Sequence, residues 1–363
     1  MWRLLRPDAV NVLAEEGIRR SLTRYADVVL GKKTAKFLLA KRIPTDLGAD
    51  DQTPRLWELH EKTTKDYYEL ERELDSGALQ FHDFPDEDKS YLDLKVELGR
   101  RILENCHFCE RRCHVNRLQR ELGYCRCGAE MSVSTIFAHT GEEPELVPSG
   151  TVFSCGCTMR CIHCQNWSIS QWVESGRKYT PDRLASDVEE LHAIGCRNVN
   201  MVGGEPTPNT WFWLKTMRDV RSSIPTVWNS NSYYSEETSQ LLDGFIDVYL
   251  LDFKYGNDYC AERISGAPHY WETCTRNHLT AKKNGELIIR VLVLPEHNEC
   301  CTRPILNWIA KNIGPWTRVN LMFQYRPEFR AREMRELQRV LNSEEKEEAL
   351  SIAREAGLLN VIT

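Results

Sequence analysis

Thr151-Val-Phe-Ser154 leads straight into Cys155-Gly-Cys157-Thr-Met-Arg-Cys161-Ile-His-Cys164. The first four residues read as a short apolar strand. The rest of the chain repeats that unit, with further candidate strands at 198–202, 226–229, 247–251, 287–292 and 318–322. Amphipathic stretches at 181–194, 210–222, 236–242, 271–284, 302–312 and 331–342 lie between or after them. A last helix is expected at 343–356, before an apolar tail at 358–362. Strands alternating with helices predict a parallel sheet with right-handed crossovers. Six such units are too few for an eight-fold closed barrel. The predicted fold is therefore α/β, a partial (β/α)6 TIM-type barrel whose site lies at the carboxyl ends of its strands.

Cys157, Cys161 and Cys164 fall at that end of the first strand. Three thiolates on one short loop can grip a metal centre, and a closed iron–sulfur site normally uses four protein ligands. A loop offering three leaves a coordination position open, the mark of a metal site that does chemistry. A zinc knuckle completed by Cys155 or His163 is the alternative.

The chain has 363 residues, 41% of them hydrophobic, enough for a sizeable core. A net charge of −6 argues against wholesale binding to nucleic acid or a membrane surface. No apolar run approaches the roughly 18 residues of a membrane helix. The first ten residues, broken by Arg3, Arg6, Pro7 and Asp8, do not read as a signal peptide. A cytoplasmic protein is expected, so the 14 cysteines are not read as disulfides. Nine of them fall between Cys106 and Cys164, which points to metal. Cys196, Cys260 and Cys274 read as small buried apolar residues. Cys300 and Cys301 read either as a substrate-facing thiol pair or as two more buried small residues.

Three regions are expected: a helical extension over 1–100, a cysteine-rich segment over 101–150, and the partial barrel over 151–363. In the extension, Leu56, Leu59, Tyr67, Leu70 and Leu74 recur at helical spacing and predict an amphipathic helix docked on the body. In the second region, Cys106, Cys109, Cys113 and Cys125, followed by Cys127, have spacings that close a zinc site or hold a second iron–sulfur cluster. Arg111, Arg112, Arg117, Arg120 and Arg126 among them either form a solvated face or bind phosphate or an acidic partner.

The later strands end in polar motifs. Gly203-Gly204-Glu205-Pro206 combines glycines that let a backbone approach a ligand with a carboxylate that can accept from an ammonium. Asn229, Ser230 and Asn231 can give and accept hydrogen bonds, as a ribose diol requires. Asp252 and Lys254 alternate out of the strand end together. Arg290, within an apolar run, needs a partner, and Glu205 or Asp252 would serve. Gln324, Tyr325 and Arg326 are candidate substrate-facing residues on the open end.

These motifs, in this order, resemble the radical S-adenosylmethionine superfamily. Cys157, Cys161 and Cys164 match its cluster motif, Gly203 to Pro206 its GGEP motif, and Asp252-Phe-Lys254 the DLK signature of glycyl-radical-enzyme activases. Asp247 to Tyr255, Arg290 to Pro295, the block from Gln324 to Pro327 and His139-Thr-Gly-Glu-Glu-Pro144 resemble the PflX-like branch, related to pyruvate formate-lyase activating enzyme. The resemblance spans about residues 102–330. It implies a [4Fe–4S] cluster on the three cysteines, with the fourth iron binding S-adenosylmethionine, whose reductive cleavage gives a 5′-deoxyadenosyl radical. Gly203, Gly204, Glu205, Asn229, Ser230, Asn231, Asp252, Lys254 and Arg290 would bind S-adenosylmethionine. The substrate would be a glycyl or other peptide position, or a small molecule, and an electron donor such as flavodoxin or ferredoxin would be a partner. Radical modification of RNA and a non-enzymatic zinc-stabilised scaffold are the competing readings.

Overall fold

The computed structural model describes residues 2–173 and 176–363. Nine strands among the described residues form one mixed sheet: β1 (Ser132–His139), β2 (Ser149–Ser154), β3 (Arg177–Lys178), β4 (Asn198–Gly203), β5 (Thr226–Ser230), β6 (Val248–Asp252), β7 (Glu286–Leu292), β8 (Arg318–Met322) and β9 (Val361–Ile362). Their order is β3-β1-β2-β4-β5-β6-β7-β8-β9. All neighbours from β2 to β9 run parallel, and β1 pairs antiparallel with both β2 and β3. The six expected strands are all present, and the sheet is open, as a partial barrel requires. Each crossover carries a helix, including Pro181–Ala193, Thr210–Asp219, Glu236–Leu242, Tyr270–Asn284 and Arg303–Asn312.

Two expectations are corrected. The 101–150 region, expected as loops held by a metal, also contains, between β2 and the short β3, the strand Ser132–His139. Its polar, half-exposed face hides the alternation that marks a strand. The stretch 331–342, rich in helix formers, makes only two short turns, Ala331–Glu333 and Arg335–Leu337. Tertiary tethers override propensity here. Arg330 N–H donates to Ile162 O at 2.8 Å and Tyr325 Oη donates to Leu337 O at 2.7 Å, wrapping the segment against the cluster loop.

The first hundred residues do two jobs. Val12, Leu13, Ile18, Leu22, Tyr25 and Ala26 pack against Leu146, Val227, Val248, Leu250 and Ile288, so they plug the amino-terminal end of the barrel with apolar surface. Polar bonds fix the plug. Tyr25 Oη donates to Glu145 O at 3.2 Å and accepts from Asn198 Nδ2 at 3.0 Å. The Glu286 carboxylate accepts from the Arg24 and Tyr25 amides at 2.7 and 2.6 Å. The helix Thr53–Ser76 then lies on the outside, burying Leu56, Leu59, Tyr67 and Leu70 as its spacing predicts. Helix Tyr91–Glu104 bridges it to the barrel. Gly99 sits so near Trp211 that an added Cβ would lie 3.2 Å from its ring. Among the described residues no helix is long and apolar enough to cross a membrane.

Candidate active site

The loops leaving β2, β4, β5, β6, β7 and β8 converge on one cavity of about 250 Å³. Cys157, Cys161 and Cys164 line it together with Gly203, Gly204, Glu205, Asn229, Ser230, Asn231, Asp252, Lys254, Arg290, Gln324 and Tyr325. Of the expected site residues in the barrel, only Arg326 lies outside; its side chain is 66% exposed and pairs with Glu328.

Backbone bonds from two directions hold the cysteine loop. Arg160 N–H donates to Ser265 O at 2.9 Å and Ile162 N–H to Ile264 O at 3.0 Å, tying it to the end of helix Asp258–Ser265. Gly156 N–H donates to Ile169 O at 2.8 Å. Cys157 Sγ accepts from Met159 N–H at 3.4 Å and from Asn231 Nδ2 at 3.6 Å. Burial pushes the Cys157 thiol well above its ordinary value and Cys161 up to about 11, so metal binding at this loop must release protons. Cys164 is the least buried of the three.

Glycine is required beside this loop. Gly203 has φ +133°, and a Cβ on Gly204 would meet Gly156 O at 2.2 Å. Glu205 is buried, and its carboxylate accepts from Thr207 N–H and Oγ1, Ser230 Oγ and Asn231 N–H, at 3.2, 2.6, 2.7 and 2.8 Å. It therefore braces the β5 loop while presenting negative charge to the cavity. Burial pushes its pKa up against these bonds. Lys254 Nζ pairs with Asp252 at 2.6 Å. Burial alone would lower this lysine, but Asp252 and the cysteine sulfurs outweigh it and hold the ammonium above its ordinary value. His163 is neutral: burial, then Lys254, pushes it down to about 3. It shares a 3.2 Å hydrogen bond with Tyr255 Oη.

Arg290 corrects an expectation. It pairs with neither Glu205 nor Asp252, but with Glu143 at 2.7 Å and with Glu142, and it donates to Asn229 Oδ1 at 3.3 Å. The two glutamates enter from the loop between β1 and β2, and Asn320 Nδ2 also donates to Glu143 at 2.8 Å. The motif from His139 to Pro144 thus reaches the barrel interior, and its two adjacent acids before a strand are the signal for it in the sequence. Tyr325 is buried by its bond to Leu337, whereas Gln324 is exposed at the mouth.

The amino-terminal cysteines lie beside this site. Cys127 Sγ donates to Cys155 O at 3.4 Å, and a Cβ on Gly156 would meet Cys127 Sγ at 2.2 Å. Arg111 Nε donates to Thr158 O at 3.1 Å, Arg112 pairs with Glu237 at 2.9 Å, and Arg117 is buried and donates to Cys106 Sγ at 3.8 Å. Three of the five arginines thus have partners within the chain. Cys300 and Cys301 do not line the cavity; Cys301 is a buried small residue as expected, whereas Cys300 is exposed.

The donor set fits an iron–sulfur centre with an open position. Three sulfurs line the cavity, amide donors reach one of them, and a glycine cradle and a cationic side chain border the same space.

The family model of the radical SAM superfamily matches residues 151–309. An uncharacterised protein of Methanocaldococcus jannaschii, MJ0674, is 43% identical over 343 residues, covering 93% of this chain and 98% of its own. That span takes in most of the first hundred residues as well. Pyruvate formate-lyase 1-activating enzyme of Escherichia coli is 27% identical over 151 residues, 39% of this chain and 58% of that enzyme. Streptococcus suis SuiB bound to precursor peptide SuiA overlays with a TM-score of 0.43 at 12% identity, covering 86% of this chain and 65% of that structure, a likeness too low to carry an argument. The converging cysteines and the family model agree: this chain belongs to the radical SAM superfamily, whose cofactors are a [4Fe–4S] cluster and S-adenosylmethionine.

Proposed function

We propose that the chain is a radical SAM oxidoreductase of the activating-enzyme type, acting on a peptide or protein substrate as in glycyl-radical activation. The observation that carries this reading is the meeting of the three cysteines, the Gly203-Gly204-Glu205 turn and the Asp252–Lys254 pair in one cavity. When bound, the cluster and S-adenosylmethionine supply a 5′-deoxyadenosyl radical that can take hydrogen from an unactivated carbon. Cys157, Cys161 and Cys164 hold the cluster. The bonds from Met159 and Asn231 to Cys157 sulfur tune it, as outer-shell donors do. The Gly203-Gly204 cradle admits the methionyl group, and Glu205 sets its ammonium by charge. Lys254, oriented by Asp252, takes the carboxylate, and Asn229 and Ser230 border the ribose. Arg290, neutralised by Glu142 and Glu143, holds Asn229 in place.

The exposed amides of Gln165, Asn166 and Gln324 at the mouth favour a peptide. Amide side chains both donate and accept, as a peptide backbone demands. An external one-electron donor such as flavodoxin or ferredoxin would reduce the cluster, with Cys164 on its more open side. Cys106, Cys109, Cys113 and Cys125 would hold a structural metal or an auxiliary cluster that fixes the neighbouring loop. The test is anaerobic turnover with peptides deuterated at the glycine α-carbon. Deuterium in 5′-deoxyadenosine is expected. 5′-Deoxyadenosine that forms but never carries peptide-derived label would contradict the peptide reading and leave the superfamily assignment standing.

A further inference from the structure

Cys260, His297 and Cys300, which lie away from the cavity, are the only group of three metal-ligating side chains among the described residues, the cavity cysteines included, whose donor atoms all lie within 4.8 Å of one another. Cys260 comes from helix Asp258–Ser265, and the other two from the turn after β7. Cys260 Sγ is 3.9 Å from Cys300 Sγ, and Cys301 Sγ is 3.9 Å from Cys300 Sγ. Two thiolates on one tetrahedral zinc ion, with zinc–sulfur bonds of about 2.3 Å, stand about 3.8 Å apart.

The surroundings are built for this convergence. Residues Asn298–Thr302 form a single π turn, the irregularity that brings Cys300 and Cys301 toward Cys260. Gly256 lets the loop after β6 lie directly on that turn, since a Cβ there would meet Cys300 O at 2.7 Å and Cys301 Cα at 2.8 Å. Asn257 clamps both halves: its Oδ1 accepts from Cys260 N–H at 2.8 Å and its Nδ2 donates to Cys300 O at 2.8 Å. His297 is buried, with Nδ1 2.6 Å from Pro295 O. A carbonyl can only accept, so Nδ1 carries a proton and Nε2 is the nitrogen available to a metal. This is how a backbone carbonyl orients a metal-binding imidazole.

We propose that Cys260, His297, Cys300 and Cys301 form a tetrahedral zinc site with three sulfur ligands and one nitrogen. Four protein ligands close the coordination sphere, so the ion is structural. It staples the turn after β7 to helix Asp258–Ser265, whose last carbonyls, Ile264 O and Ser265 O, hold the Cys157–Cys164 loop. The site thus lies one helix away from the cluster and sets the helix on which the cluster loop rests.

The test is zinc and iron analysis of the reconstituted full chain beside Cys300→Ser, His297→Ala and Cys300→His. The expected result is loss of one zinc equivalent per chain in the first two variants with iron unchanged. Cys300→His, which keeps a ligand, should retain the zinc and so separates ligand loss from misfolding. Cobalt exchanged into the wild type should show thiolate charge-transfer bands that weaken in Cys300→Ser. Unchanged zinc in both ligand-loss variants would overturn the site, as would a Cys260–Cys300 disulfide in the protein purified without oxidant.

Discussion

The two ends of the barrel are both rich in charge, yet they differ in what that charge does. At the amino-terminal end, Asp247 accepts from Arg24 at 3.1 Å, from Lys36 N–H at 3.1 Å and from Thr226 N–H at 2.9 Å. Arg318 meets Glu145 in a pair at 2.8 Å that is almost wholly out of solvent, and Glu286 caps two backbone amides. Each of these groups has its partner within the chain, and the cavity that Arg24, Asp247 and Glu286 line, about 140 Å³, holds no cysteine. At the carboxyl end, the Asp252–Lys254 pair and three sulfurs border a cavity. Density of charge does not mark a site in this fold; coordination capacity facing open space does.

The comparison breaks most sharply with Cys161→Ala. This change should abolish 5′-deoxyadenosine formation and lower iron content while leaving the thermal midpoint nearly unmoved. Arg318→Met should do the reverse. It leaves Glu145 buried and unpaired, which costs about 3–5 kcal/mol in denaturant melts, while the folded fraction still binds its cluster. If Cys161→Ala melts as readily as Arg318→Met, the division between the two ends is wrong.

How far the sequence disclosed this division depends on locality. β2, β4 and β5 to β8 were legible because each is a short apolar run followed by its own motif, so fold and site were read from the same residues. The convergence of Cys157 with Gly204, Glu205 and Lys254 follows once the strands are parallel, since their carboxyl ends must then meet. Pairings that depend on the path of a loop were hidden. Arg290 finds Glu142 and Glu143 some 147 residues away through the β1–β2 connection, and no spacing rule announces it. Cys260 is buried as expected, but its neighbours His297 and Cys300 lie beyond a helix and a strand, so their meeting was not legible. The first residues of the chain carry a pattern for helices but none for the barrel end they fill.

Smaller effects sharpen the comparison. Lys254→Ala should weaken S-adenosylmethionine binding by roughly tenfold to a hundredfold, about 1.5–3 kcal/mol as expected for a charged hydrogen bond, read by anaerobic equilibrium dialysis. At the opposite end, burial raises Glu286 from 4.5 to about 7. The folded state therefore binds this proton more tightly than the unfolded chain. The stability it contributes is complete below about pH 4.5 and is lost as pH rises through about 7. The stability difference between wild type and Glu286→Gln should accordingly fall by on the order of 2 kcal/mol across that window; a difference flat with pH would contradict the burial argument. Smallest is Tyr25→Phe, which removes the hydroxyl joining Asn198 to Glu145 and should cost about 1 kcal/mol with S-adenosylmethionine affinity unchanged.

The most direct measurement is electron paramagnetic resonance of the reconstituted, dithionite-reduced protein with and without S-adenosylmethionine. The wild type should show a [4Fe–4S] signal that shifts on addition of S-adenosylmethionine, and the Cys157/Cys161/Cys164 triple alanine variant should show no S-adenosylmethionine-sensitive signal. A wild-type signal indifferent to S-adenosylmethionine, or a shift that survives in the triple variant, would contradict the assignment of the open iron position to this end of the barrel.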